Sequence, residues 1–357
     1  MRRLICFVVA GLLSLSANRS EADDHAFPAT AANPRKLVIA STTDLGIIRP
    51  VIEAYQLEHP DVEILYREMT TIALYARSGT ACGNGDFYGD LVISSAMDLQ
   101  VKLVNDGCAA PVESTILDGL PDYARWRNEL FGLTFEPAVI VYNRRLIALS
   151  EAPRDHFDLL DLLRQPERFT GRIGTYDIEQ SGLGYLYATL DARQSSTWGR
   201  LIEAMGRNRV QLFCCTSEIL DRVADGRLTF GYNVLGSYAL AEAADKPDLA
   251  IVLPSDYTLV LTRAAFTPKT ARNHADAVAF LDFTQVEKGR RILSDKARLF
   301  SPIDGMDELF KQPGVPADAR QSLRPVALSP ALMTGLDTMK RRLFLKQWQE
   351  SLTLKDN

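Results

Sequence analysis

Short apolar runs alternate with amphipathic stretches along most of this chain. Leu37, Val38, Ile39 and Ala40 form an unbroken apolar run, which reads as a buried strand. Ser41, Thr42, Thr43 and Asp44 follow as capping material. Leu45, Ile48, Ile52 and Tyr55 then recur at helical spacing on one face. Residues 62–66 and 91–93 predict two further strands, and a helix from about Met97 stops at Asn105, Asp106 and Gly107. A strongly apolar strand is expected at 138–142, after which the pattern starts afresh. Strands are expected at 172–176, 210–213 and 228–232. Helices are expected to open at Ser181 and Gly182, near Trp198, at Thr216, and after Asn233 toward Tyr238. Later strands fall at 251–253 and 259–261. From about Thr270 the chain is mainly helical, with a loop-rich stretch at 302–316. Leu332, Leu336, Met339 and Leu343 mark a last helix and read as core packing. The β–α–β–α order predicts an α/β fold, with mostly parallel sheets covered by helices on both faces.

Length and composition narrow this picture. The chain has 357 residues, 46% hydrophobic and 24% charged, which suits two domains or one domain with two lobes. A net charge of −5 argues against a general nucleic-acid binder, which needs a basic surface. Only 4 histidines are present, little material for histidine-based metal sites, and no cofactor is expected. No apolar run reaches the length of an ordinary transmembrane helix.

The N-terminus has the grammar of a secretory signal. Arg2 and Arg3 precede an apolar stretch at 4–15, and Ser20, Glu21 and Ala22 supply a small-residue cleavage site, with Ala17 as the alternative. Residues 1–22 are therefore expected to be a signal peptide, with a loose leader at 23–35 and a mature protein in the periplasm. Four cysteines remain after cleavage: Cys82, Cys108, Cys214 and Cys215. In an oxidising compartment an even number suggests bridges. Three connectivities are open, and Cys82–Cys108 is the expected pair. Cys214 and Cys215 end an apolar run and read as two strand-end thiols, with a vicinal bridge as the alternative.

Several chemistries have no motif here. There is no G-x-x-x-x-G-K-[ST] phosphate loop, no G-x-S-x-G elbow, no H-E-x-x-H and no C-x-x-C. His25, His59, His156 and His274 are scattered, so no base is nominated for a nucleophile. The chain does not read as an enzyme. What recurs is a strand, then Ser, Thr, Gly or Asn, then a helix: at Thr42 and Thr43, Ser94 and Ser95, Ser181 and Gly182, and Tyr232 and Asn233. In a parallel sheet such loops gather at the carboxyl edge. Helix N-termini there offer N–H groups and partial positive charge. That suits capture of an anionic or polyhydroxylated small molecule, although each Ser or Thr taken alone also serves as a helix cap.

Four stretches carry a family resemblance: 38–44, 94–100, 181–185 and 231–239. Together they resemble the periplasmic substrate-binding proteins of ABC transporters. The similar branch is the two-lobed (type II) one that includes ferric-iron, thiamine, sugar-phosphate and phosphoglycerate-related binders. The resemblance implies two α/β lobes joined by crossing hinge strands, with hinge closure trapping a solute. Lobe 1 would span 36–140 and 251–325, lobe 2 would span 141–250, and 326–357 would form a C-terminal helix. The first crossing would lie at 138–142 and the return at 251–261. The implied ligand residues are Thr42, Thr43, Ser94, Ser95, Ser181, Gly182, Tyr232, Asn233 and Tyr238. Ferric binders of this branch use adjacent tyrosines. Here Tyr232 is followed by Asn233, so a phosphate- or carboxylate-bearing solute fits better than iron. Arg77 is a candidate for added charge. The implied partner is a membrane ABC permease or, for a sensing role, a histidine kinase. The protein is expected to act as a monomer.

Overall fold

The computed structural model of this protein describes residues 22–312 and 315–353. Nearly all of the expected signal peptide lies outside the described residues. Fourteen strands are present among those described: β1 (Asp23–Phe27), β2 (Arg35–Ser41), β3 (Val62–Glu68), β4 (Leu91–Ser94), β5 (Arg125–Trp126), β6 (Leu130–Gly132), β7 (Glu136–Asn143), β8 (Ile173–Tyr176), β9 (Gln211–Phe213), β10 (Phe230–Leu235), β11 (Leu249–Val252), β12 (Thr258–Leu261), β13 (Ala264–Phe266) and β14 (Leu323–Pro325). They form two sheets. One runs β1-β3-β2-β4-β13-β6-β5 and the other β14-β12-β7-β10-β8-β9, with β11 also paired to β7.

Each sheet has the same plan. Three strands run parallel, β3-β2-β4 in the first lobe and β10-β8-β9 in the second. Antiparallel strands flank them. Burial differs among the parallel strands: β4 and β8 are buried at every position, whereas β3 alternates between buried and half-buried positions.

The lobes are joined where two strands change sheets. The chain passes from β6 to β7 through 133–135 and returns from β12 to β13 through 262–263. Leu133 N–H donates to Arg263 O at 2.8 Å and Arg263 N–H to Thr134 Oγ1 at 2.9 Å, so the two crossings are tied side by side. The apolar run 138–142 therefore lies just past the first crossing, inside β7, which is buried along its full length. The return also lies later than the sequence suggests. Residues 251–261 stay in the second sheet, where β11 and β12 both pair with β7.

Three more differences follow from packing. The stretch 23–35 is not a loose leader throughout, since β1 pairs antiparallel with β3 at the edge of the first sheet. Residues 323–325 belong to the second lobe, because β14 pairs with β12. The last helix, Thr338–Leu352, also packs on the second lobe, with Phe344 and Trp348 stacked on Trp198. Its buried face is set by Phe344, Leu345 and Trp348. Met339 and Leu343, read as core, are 70% and 57% exposed. Leu332 is buried, but in the 3-10 turn Pro330–Gly335 that precedes the helix.

Both cysteine pairs are bridged. Cys82–Cys108, Cα atoms 5.4 Å apart, ties the helix Thr71–Asn84 to the loop after the helix Met97–Asn105. Cys214 and Cys215 are bridged to each other, so the alternative reading of that dipeptide is the one the fold adopts.

Candidate functional site

The carboxyl ends of both parallel triads face one cavity of about 280 Å³ between the lobes. The first lobe contributes Thr42, Asp44, Glu68, Thr71 and Ser95. The second contributes Tyr176, Ser181, Cys214, Cys215, Thr216 and Tyr238, and the hinge contributes Arg263. Hydrogen bonds cross between the lobes at its rim. Asp44 N–H donates to Tyr238 Oη at 3.1 Å, and Gly182 N–H donates to Thr71 Oγ1 at 2.8 Å.

Of the nine residues expected to hold ligand, the fold brings Thr42, Ser95, Ser181 and Tyr238 into this wall. The others have different partners. Thr43 is buried behind the wall, its Oγ1 accepting from Arg263 Nη1 at 3.0 Å. Ser94 Oγ accepts from Ala96 N–H at 3.2 Å. Gly182 sits at a lobe-to-lobe contact: a Cβ there would lie 2.9 Å from Leu99 Cδ1 and 3.1 Å from Thr71 Oγ1. Tyr232 and Asn233 point elsewhere. Their side chains donate to the buried carboxylate of Asp191 in the second lobe, Tyr232 at 2.8 Å. The cause is local. The pairing of β10 with β7 slips between Gly231 and Val234, and Asn233 takes a left-handed φ of 58°. One irregular residue resets which side of a strand each side chain faces. Arg77 does not line the cavity either and instead interacts with Tyr88.

The helix N-termini are also mostly satisfied from within the protein. Leu45 N–H donates to Glu68 Oε2 at 2.7 Å, so a carboxylate already sits on the helix Leu45–Glu58. Gly184 N–H donates to Ser181 Oγ, and Ser95 N–H to Thr42 Oγ1. The hydroxyls of Ser181 and Thr42 therefore serve first as acceptors for the protein's own backbone. The N-cap of the helix Thr216–Ala224 is Cys215, which supplies no capping hydrogen bond, as is also true of Asp44 and Ala96 at the helices Leu45–Glu58 and Met97–Asn105.

The strongest cation in the wall was not singled out by sequence. Arg263 lies in the crossing between β12 and β13 and is only 2% exposed. Its Nε donates to Glu136 Oε1 at 3.1 Å and its Nη1 to Thr43. Its Nη2 is buried without a partner. Burial alone would lower the affinity of Arg263 for its proton. Tyr238 and the carboxylates of Glu136 and Asp44 more than reverse this, so the guanidinium stays charged. Ser237 Oγ holds the other oxygen of Glu136. A buried ion pair of this kind is costly to break, because one charge is then left alone.

The first-lobe carboxyls are tuned by burial. Burial pushes Asp44 up, against Arg263 and hydrogen bonds from Tyr238 and Ser217. Burial likewise pushes Glu68 up, against the N–H of Leu45. The Tyr238 phenol is raised by burial too, so it is held protonated. Chemically, the cavity wall holds one guanidinium whose Nη2 is buried without a partner in the protein, several hydroxyls, and carboxyls that take protons more readily than free ones. Among the described residues no group of three or more His, Cys, Asp or Glu is arranged to hold a metal ion, and no helix is long and apolar enough to cross a membrane.

Residues 37–296 match the family described as bacterial extracellular solute-binding protein. Among solved structures, the substrate-binding protein of an ABC transporter from Agrobacterium tumefaciens is 37% identical. It aligns with a TM-score of 0.84 over 93% of this chain and 98% of its own. AfuA from Actinobacillus pleuropneumoniae, solved with fructose-6-phosphate, is 18% identical at a TM-score of 0.71, over 89% and 98% of the two chains. Iron-bound HitA from Pseudomonas aeruginosa is 15% identical at a TM-score of 0.69, over 89% and 99%. The last two likenesses show the fold alone. No curated protein matches the chain.

Proposed function

The chain belongs to the bacterial extracellular solute-binding proteins, the receptors that deliver small solutes to ABC permeases, and from that premise we propose that the solute it traps carries a phosphate or carboxylate group. The observation that carries this reading is the unpartnered Nη2 of Arg263 in the cavity wall. A buried guanidinium N–H without an acceptor is costly, and an anionic oxygen is the acceptor that gains most from it. The N-terminus of the helix Thr216–Ala224 adds partial positive charge from the opposite lobe. An anion between them touches both lobes and the hinge, so its binding favours closure.

Asp44 and Glu68 bear on the pH dependence. Both carboxyls are raised, so acidification protonates them earlier than free carboxyls and removes repulsion toward an anion. Affinity is therefore expected to rise as pH falls into the range where these two carboxyls take up protons, which lies above that of free carboxyls. A ferric reading is less well supported. Tyr232 donates to Asp191, away from the cavity, and Tyr238 is held as a neutral phenol.

Calorimetry with a panel of phosphorylated and carboxylated metabolites tests the proposal. At least one should bind at micromolar Kd or tighter. The variant Arg263→Lys keeps the charge but loses the fork, and should bind the same compound at least ~10-fold more weakly, about 1.4 kcal/mol. A panel in which no anion binds would overturn the reading. So would tight ferric binding with a phenolate-to-iron band that disappears in Tyr238→Phe.

A further inference from the structure

The Cys214–Cys215 bridge is unlike the other disulfide in its placement. Both of its residues line the inter-lobe cavity. Cys214 is exposed and Cys215 half-buried, whereas Cys108 is buried and Cys82, on the last turn of the helix Thr71–Asn84, is half-buried. Cys215 is also the N-cap of the helix Thr216–Ala224, with no side-chain hydrogen bond to the helix end. From this arrangement we propose that Cys214–Cys215 is a thiol-exchange site built into the cleft wall, opened by a dithiol reductant while Cys82–Cys108 stays closed.

The geometry sets the direction of the exchange. A reductant thiolate attacks the sulfur of Cys214, the more exposed residue of the pair, forms a mixed disulfide there, and displaces Cys215 as a thiolate. Partial positive charge at the helix N-terminus stabilises that departing thiolate, and a better leaving thiolate speeds the step. The second thiol of the reductant then attacks its own mixed-disulfide sulfur and releases Cys214. The protein disulfide gains two electrons and becomes two thiols. The dithiol loses two electrons and closes to a disulfide, and its two protons end on Cys214 and Cys215.

The consequence falls on the cleft. The bridge confines the dipeptide between β9 and the helix, next to Thr216, whose Oγ1 is hydrogen-bonded to the Tyr176 hydroxyl at 2.5 Å. Opening the bridge frees this corner of the wall and leaves two polar thiols where the closed bridge presented one apolar sulfur edge. The inference does not depend on which solute the cleft holds.

The test uses full-length mature protein recovered oxidised from the periplasm. It is treated under native conditions with graded dithiothreitol, quenched with iodoacetamide and mapped by mass spectrometry. Cys214 and Cys215 should be labelled at a dithiothreitol concentration at least ~10-fold below that needed for Cys82 and Cys108. In a second arm, the alkylation rate is followed against pH in Cys214→Ser and in Cys215→Ser, each checked by its melting curve. The midpoint for Cys215 in the first variant should lie below that for Cys214 in the second. The proposal is overturned if both bridges open together, if Cys82–Cys108 opens first, if the midpoints are reversed, or if Cys214 and Cys215 are free thiols before reductant is added.

Discussion

Two aspartates, Asp98 and Asp191, are both fully buried, and their surroundings differ in kind. Asp191, inside the second lobe, accepts from Tyr232 and Tyr257 hydroxyls at 2.8 and 3.1 Å and from the Asn233 amide; burial raises its carboxyl, and His156 and these three donors pull the other way. Asp98 begins the helix Met97–Asn105 of the first lobe, which packs across the lobe boundary on the turn Pro330–Gly335 and the helix Gly182–Gln194. It accepts only from backbone N–H groups, its own and that of Leu99, and its Oδ1 has no partner. Burial pushes Asp98 up to about 7, with Leu99 N–H and the charge of Arg341 pulling the other way. A polar group deep in one lobe must be satisfied by that lobe. A group at a surface that opens and closes is satisfied by water whenever the lobes part.

The sharpest way to break this contrast is Asp191→Ala. It strands three buried donors at once, and is expected to cost about 3–5 kcal/mol in urea denaturation at pH 7. A loss below ~1 kcal/mol would mean that the cluster contributes little to the lobe.

Asp98→Asn should act in the opposite direction. Because the Asp98 carboxyl is raised from 3.8 to about 7 in the folded protein, the native state holds a proton that the unfolded chain has released. That contribution is complete below pH 4 and is lost as pH rises through 7. The amide variant escapes the loss, so it should be more stable than wild type by about 4 kcal/mol at pH 8 and equal to it near pH 4. Equal stabilities at both pH values would remove the distinction between the two aspartates.

The smallest effect sharpens the comparison within the satisfied cluster. Tyr257→Phe removes one donor of three while leaving the ring stacked on His156 at 4.2 Å. It is expected to cost about 1 kcal/mol by thermal or urea unfolding. A cost near that of Asp191→Ala would show that the three donors act as one unit rather than in parallel.

Much of the architecture could be read along the chain. The runs at 37–40, 62–66, 91–93 and 172–176 became strands of the two parallel triads. Thr42, Ser95 and Ser181 sit at the ends that a parallel sheet gathers into a cleft. These succeed because strand periodicity and capping are local properties, decided within a few residues. Tyr232 and Asn233 were misplaced because one bulge near Gly231 reverses the facing of the strand, and nothing in the local pattern announces it. Met339 and Leu343 were misplaced because helical spacing shows that a stripe exists, whereas the neighbouring Trp198 decides which stripe is covered.

The sequence by itself determined the α/β class and three of the strand-to-helix loops that reach the cleft wall, and it favoured the bridge between Cys82 and Cys108 among the open pairings. Only the tertiary structure decided that Arg263, Glu136 and Thr43 form one buried network at the hinge, from residues up to 220 positions apart. It alone placed Cys214 and Cys215 opposite Thr42 and Ser95. The physical reason is the same in each case. Local pattern sets which atoms a segment buries or exposes, but a charge or a sulfur acquires its role from the partners that closure of two distant strand crossings brings within reach.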